Sequence, residues 1–120
     1  MSFVAQVLIT ATAAIAAHIG ILFVLSGGAP SLSSAFVQEL IIRWTIAALF
    51  ANSITWPMPQ FFTALIVGGL SAVNMAFIVL TFQGQLAFFQ RALLTNGTGA
   101  VGLAIGATLA AMLISKRTHA

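Results

Sequence analysis

Apolar residues run along this chain in four long blocks, and the polar positions fall in short clusters between and within them. The first block, Phe3 to Leu25, contains no Lys, Arg, Asp or Glu. As a helix it spans ~34 Å, enough to cross a hydrocarbon core of ~30 Å. Ser26-Gly27-Gly28-Ala29-Pro30-Ser31 ends it, because such breakers do not continue a helix. Ser33 or Ser34 is then placed to cap the next one by accepting from its free N–H groups. The second span covers about 35–56 and closes at Trp56-Pro57-Met58-Pro59, where two prolines remove backbone donors and bias their predecessors out of the helical region. The third covers about 60–82 and is broken only by Gly68-Gly69, Ser71 and Asn74. After the connector Gln83-Gly84-Gln85 come Leu86 to Leu94, with Phe89 and Leu93 four apart on one helical face, either an interfacial half-helix or the first turns of a long fourth helix. Asn96-Gly97-Thr98-Gly99 reads as an interruption, so the fourth span is set at about 92–115.

The pattern predicts an all-α integral membrane protein: one domain over residues 1–120, folded as a bundle of about four transmembrane helices. Three spans with an interfacial segment near Phe88 is the alternative. Composition excludes the soluble reading. Hydrophobic residues make up 61% and charged residues 4%, with a mean hydropathy of +1.14. A water-soluble domain devotes about a quarter of its residues to charge. The net charge of +3 comes from Arg43, Arg91, Lys116 and Arg117 set against Glu39. These cations are scattered, so no basic patch for nucleic acid exists. Tyr is absent, which leaves Trp44 and Trp56 as the expected ring anchors at the headgroup level. Met1 to Phe3 lack a basic n-region and the first apolar run is longer than a signal-peptide core, so it is expected to be retained. Lys116 and Arg117 favour a cytoplasmic C-terminus in a prokaryotic plasma membrane, with Arg91 on the opposite side.

Few side chains can carry chemistry. Glu39 and Arg43 lie four apart on one helix face, a favourable i,i+4 order worth a few tenths of a kcal/mol in water. In lipid the pairing weighs more, since an isolated charge there costs ~2.5–3.5 kcal/mol. The pair is expected at the head of the second helix, neutralising itself. His18 lies two-thirds along the first span and is expected to be neutral and bonded to a neighbouring helix. Asn52 and Asn74 are expected to hydrogen-bond between helices at roughly 0.6–2 kcal/mol each. The clearest pattern is small residues at four-residue spacing. Thr98, Gly102, Gly106 and Ala110 form one stripe, with Gly102 and Gly106 matching G-x-x-x-G, and Thr12, Ala16 and Gly20 form another. Such stripes allow backbones to approach closely where lipid supplies no hydrophobic drive. Asn96-Gly97-Thr98 also fits a glycosylation acceptor, a short pattern that nothing else in the chain supports.

There is no Cys and no Asp, and the two His are far apart. That composition assembles neither a catalytic nucleophile–base set nor a metal site, and no glycine loop follows a strand. No catalytic activity, cofactor or metal is therefore expected, and no nucleic-acid partner. The expected role is a non-enzymatic structural or assembly subunit of a homo-oligomer or larger membrane complex, in contact with membrane lipids. A small transporter or channel using Glu39 is the first alternative. The second rests on the segment from Gln60 to Ser115, two apolar helices with Arg91 in the intervening region, which resembles the plan of conjugative pilins. That resemblance implies an extracellular filament, although the two N-terminal spans exceed the usual two-helix form. A phage holin is a further alternative for a short multi-span chain with a basic tail.

Overall fold

The computed structural model describes residues 2–28, 30–54 and 59–119, with side chains through Ile114. Four helices make up the chain: α1 (Phe3–Ser26), α2 (Ser34–Ser53), α3 (Gln60–Gln83) and α4 (Leu86–His119). Each is long and apolar enough to cross a membrane. Their ends follow local chemistry. The Ser2 hydroxyl accepts from the Ala5 N–H, and the Ser33 hydroxyl accepts from the Phe36 N–H at 3.1 Å. α1 and α3 each stop at a glycine in the left-handed region, Gly27 at φ 70° and Gly84 at φ 68°. There the Gly84 N–H donates to the Leu80 carbonyl at 2.8 Å, closing the last turn.

Cross-helix contacts fix an antiparallel bundle. Along α1 and α2, His18 meets Trp44 and Thr10 meets Asn52; along α2 and α3, Arg43 meets Ser71 and Ala51 meets Gln60. α4 is the spine, packed against both α1 and α3, while α2 rests mainly on α1. The core is made largely of alanine, with Leu40, Trp44 and Leu103 as its bulky members. Small side chains let the helix axes come close. A Cβ added at Gly102 would lie 2.6 Å from the Ala13 carbonyl oxygen, and one at Gly106 would lie 2.7 Å from Ala13 Cβ. On the other side of α4, Gly68 of α3 leaves room for Ala100, which a Cβ would approach to 2.8 Å.

Two features depart from the sequence expectation. α4 begins at Leu86 and passes through Asn96-Gly97-Thr98-Gly99 without a break. The polar side chains there bond back to their own helix instead of capping a new one. Thr95, Asn96 and Thr98 donate to the carbonyls of Ala92, Ala92 and Leu94 at 3.2, 2.8 and 2.9 Å. Gly99 lies directly against the Trp44 indole, a closeness that any Cβ would prevent. Segment 86–95 is therefore the first part of α4, and at 34 residues this helix is the longest of the four. The second departure is Trp44, which is 0% exposed and is not an anchor at the bundle's rim. Trp56, the other expected anchor, lies outside the described residues, as do the side chains of Lys116 and Arg117.

Large apolar side chains cover the outside. Phe50, Phe62, Leu70 and Phe77 are all exposed, and Phe82 is 82% exposed. A soluble monomer rarely presents so continuous an apolar surface.

Candidate polar site inside the bundle

Glu39 and Arg43 sit on successive turns of α2, which places their side chains on the same face. Arg43 Nε donates to the Glu39 carboxylate, and Arg43 Nη1 donates to the Ser71 hydroxyl of α3 at 3.4 Å. Its guanidinium carbon also lies 5.0 Å from the centroid of the neighbouring Trp44 ring. Arg43 is thus held by a carboxylate, a hydroxyl and an aromatic face, each favourable for a cation with little access to water. The side chains of Arg43 and Glu39 are 16% and 40% exposed, so the carboxylate is the more accessible partner.

Behind Arg43, the Trp44 Nε1–H donates to His18 Nδ1 of α1 at 3.3 Å. A nitrogen that accepts a hydrogen bond cannot carry a proton, so the His18 ring proton sits on Nε2 and the ring is neutral. The His18 and Trp44 rings are 6.1 Å apart at 68°, and His18 meets Phe36 in a second edge contact at 6.3 Å. Gly99 of α4 completes the seat of the indole. Four residues from three helices therefore hold the centre of the molecule: His18, Arg43, Trp44 and Gly99.

Two cavities flank this centre. The first, about 800 Å³, is a groove between α2 and α3 that opens to the surface. Gln38, Glu39, Arg43, Ser71 and Asn74 supply its polar lining, between Ile42, Ile46, Phe50 and Leu70. The second, about 490 Å³, lies among all four helices and is lined by His18, Glu39, Arg43, Arg91, Thr95 and Asn96 together with apolar side chains. Glu39 and Arg43 belong to both. In the second cavity Asn96 is 4% exposed, and its Oδ1 has no hydrogen-bond partner.

The sequence candidates divide by position. Glu39, Arg43 and His18 come together as described. Asn52 bridges α2 to α1, donating to the Thr10 hydroxyl at 3.2 Å and to its own Ala48 carbonyl at 2.8 Å. Asn74 is exposed and lines the groove together with Glu39 and Arg43. Gly102, Gly106 and Ala110 are buried and Thr98 is half-buried, with the two glycines against α1. Thr12, Ala16 and Gly20 are all exposed, so the α1 stripe takes no part in packing within the chain. Among the described residues no three metal-ligating side chains converge. Ser71, Trp44, Arg91 and Asn96 were missed as site residues. Only Trp44 had a signal, an aromatic ring immediately following the one arginine of the second apolar span.

No protein-family model, curated protein or solved structure matches this chain.

Proposed function

We propose that this chain is a multi-pass integral membrane protein that works as a non-enzymatic assembly subunit, and that it joins a second copy of itself through the α2–α3 groove. The observation that carries the reading is the composition of that groove. It is open to the surface in the middle of apolar helices, yet Gln38, Glu39, Arg43, Ser71 and Asn74 line it. Lipid tails offer none of these groups a hydrogen bond, and polar residues in spans normally face protein or water. The set is also self-complementary. Gln38 and Asn74 each donate and accept, and Glu39 and Arg43 carry opposite charges, as a two-fold interface built from one patch requires. The exposed Phe50, Leu70 and Ile46 at its margins supply apolar area for the same contact.

Because the chain contains no cysteine, one introduced thiol reports on one position. Leu70→Cys, in native membranes under mild oxidation, should give a disulfide-linked dimer, and the purified wild-type chain should elute above monomer mass in mild detergent. A monomer that yields no cross-link from the groove would overturn the proposal. The plasma membrane of a prokaryote, with both termini on the cytoplasmic side, is the location that the Lys116–Arg117 segment supports.

A second reading is favoured by one observation, the sharing of Glu39 and Arg43 between the groove and the second pocket, which also opens to the surface. In that reading the chain is a small transporter or channel, with the pair between two chambers. Glu39→Gln should then abolish solute-dependent flux in liposomes, and wild-type chains that pass no solute would end the idea.

A further inference from the structure

Of the two arginines, Arg43 has a carboxylate partner and Arg91 has none. Glu39 is the only acidic side chain in the sequence and it is bonded to Arg43, so the charge of Arg91 stands alone. Arg91 is exposed and lies five residues into α4, ~7.5 Å from its start by helical rise, within reach of a headgroup layer. Two open pockets meet at this residue. The second pocket, about 490 Å³, sets Arg91 beside Leu22, Phe36, Met75, Val79 and Phe82. A third, about 420 Å³, is lined by the same Leu22, Phe36 and Arg91 together with Pro30, Ser31 and Ser33 of the α1–α2 connection. Each has the size of a ligand pocket.

We propose that these adjoining pockets hold one anionic phospholipid, its phosphate on Arg91 and one acyl chain along the apolar wall of the second pocket. Charge selects the headgroup. Two guanidiniums against one carboxylate leave that pocket with a surplus positive charge, which a lipid of net negative charge offsets. A zwitterionic lipid brings its own cation beside Arg91 and forgoes that gain. The planar guanidinium matches phosphate oxygens through parallel N–H donors. The Ser33 hydroxyl accepts from the Phe36 N–H and keeps its own proton to donate to the headgroup. Phe82 and Phe88, both exposed, and Leu22, buried, offer the acyl chain an apolar wall from rim to interior. The inference rests on the chain crossing a membrane and does not depend on self-association through the α2–α3 groove.

The test titrates the full chain, purified in a mild nonionic detergent, with palmitoyl-oleoyl phosphatidylglycerol or phosphatidylcholine and counts bound lipid by native mass spectrometry. Wild type should take up one phosphatidylglycerol per chain saturably, about fivefold tighter than phosphatidylcholine. Arg91→Gln should abolish that preference and Arg91→Lys should retain most of it. Lys116→Gln combined with Arg117→Gln should leave it unchanged, which separates the site from the basic tail. Inorganic phosphate in excess should not displace the lipid. Equal affinity of wild type for both lipids would overturn the proposal. So would uptake that never saturates, as for bulk lipid around the helices, displacement by inorganic phosphate, or a preference that follows the tail instead of Arg91. Wild type and the tail variant decide the matter if Arg91→Gln does not fold. A chain recovered from cells in the aqueous phase without detergent would end the membrane-spanning reading itself, and this proposal with it.

Discussion

Trp44 and His18 meet across the α1–α2 interface with the indole N–H donating to Nδ1 at 3.3 Å, and neither ring reaches the surface. This contact ties the helix that carries Glu39 and Arg43 to the rest of the bundle. His18→Leu strands the indole N–H in an apolar core and should cost about 1–3 kcal/mol. Trp44→Phe alone removes the donor and part of the ring. The double variant should cost less than the sum of the two by about 0.6–1.7 kcal/mol, the range of measured interhelical hydrogen bonds. Reversible unfolding in mixed micelles measures the cycle, and strict additivity would show that the bond contributes nothing.

The glycines of α4 differ in what surrounds them, and substitutions should follow that difference. Gly99→Ala drives a methyl into the rigid Trp44 ring, and Gly102→Ala drives one into the Ala13 backbone. Each should destabilise by about 1–3 kcal/mol. Gly97 has open space where its Cβ would be, so Gly97→Ala should be neutral or stabilising by up to ~1 kcal/mol through helix propensity. Melting temperatures of the three variants in one detergent give the ranking.

Glu39 and Arg43 offset each other, so removing one should be worse than removing both. Glu39→Leu leaves the guanidinium without its carboxylate and should lower the membrane-inserted yield, in line with a cost of ~2.5–3.5 kcal/mol for an isolated charge. Glu39→Leu combined with Arg43→Leu should recover most of that loss. Quantifying inserted chain by carbonate extraction decides it. A double variant no better than Glu39→Leu would mean that Arg43 matters through Ser71 and Trp44 instead.

Gly20 lies on the exposed α1 stripe with nothing near its Cβ position. Gly20→Leu should therefore leave melting unchanged and, if association runs through the α2–α3 groove, leave the oligomer mass unchanged as well. A shift to monomer on size-exclusion chromatography with light scattering would move the interface to α1.

Helix number and the placing of three turns were readable because breakers and apolar runs are local signals. The seam of α4 was not. Asn96-Gly97-Thr98-Gly99 has the composition of a loop, and only the neighbours reveal that the polar groups bond back along their helix and that Gly99 makes room for an indole. Small-residue spacing located Gly102 and Gly106, but the same spacing in Thr12, Ala16 and Gly20 lies on an outward face. Periodicity places residues on one side of a helix without telling which side is inside. The i,i+4 relation of Glu39 to Arg43 was legible for the same local reason. The contacts of Arg43 with Ser71, and of Trp44 with His18, join residues far apart in the chain and depend on helix register.

Gly84 sets the start of α4 level with the end of α3, and the two helices then run in opposite directions with unequal lengths, 24 against 34 residues. All of the excess, ~15 Å by helical rise, must therefore emerge at one end. In a bilayer matched to α3 the last turns of α4 would stand clear of the acyl chains, on the same side as the start of α1. A probe carried near residue 117 should stay mobile and wet at a fixed height above the lipid, and its depth would show how far the spine is sunk.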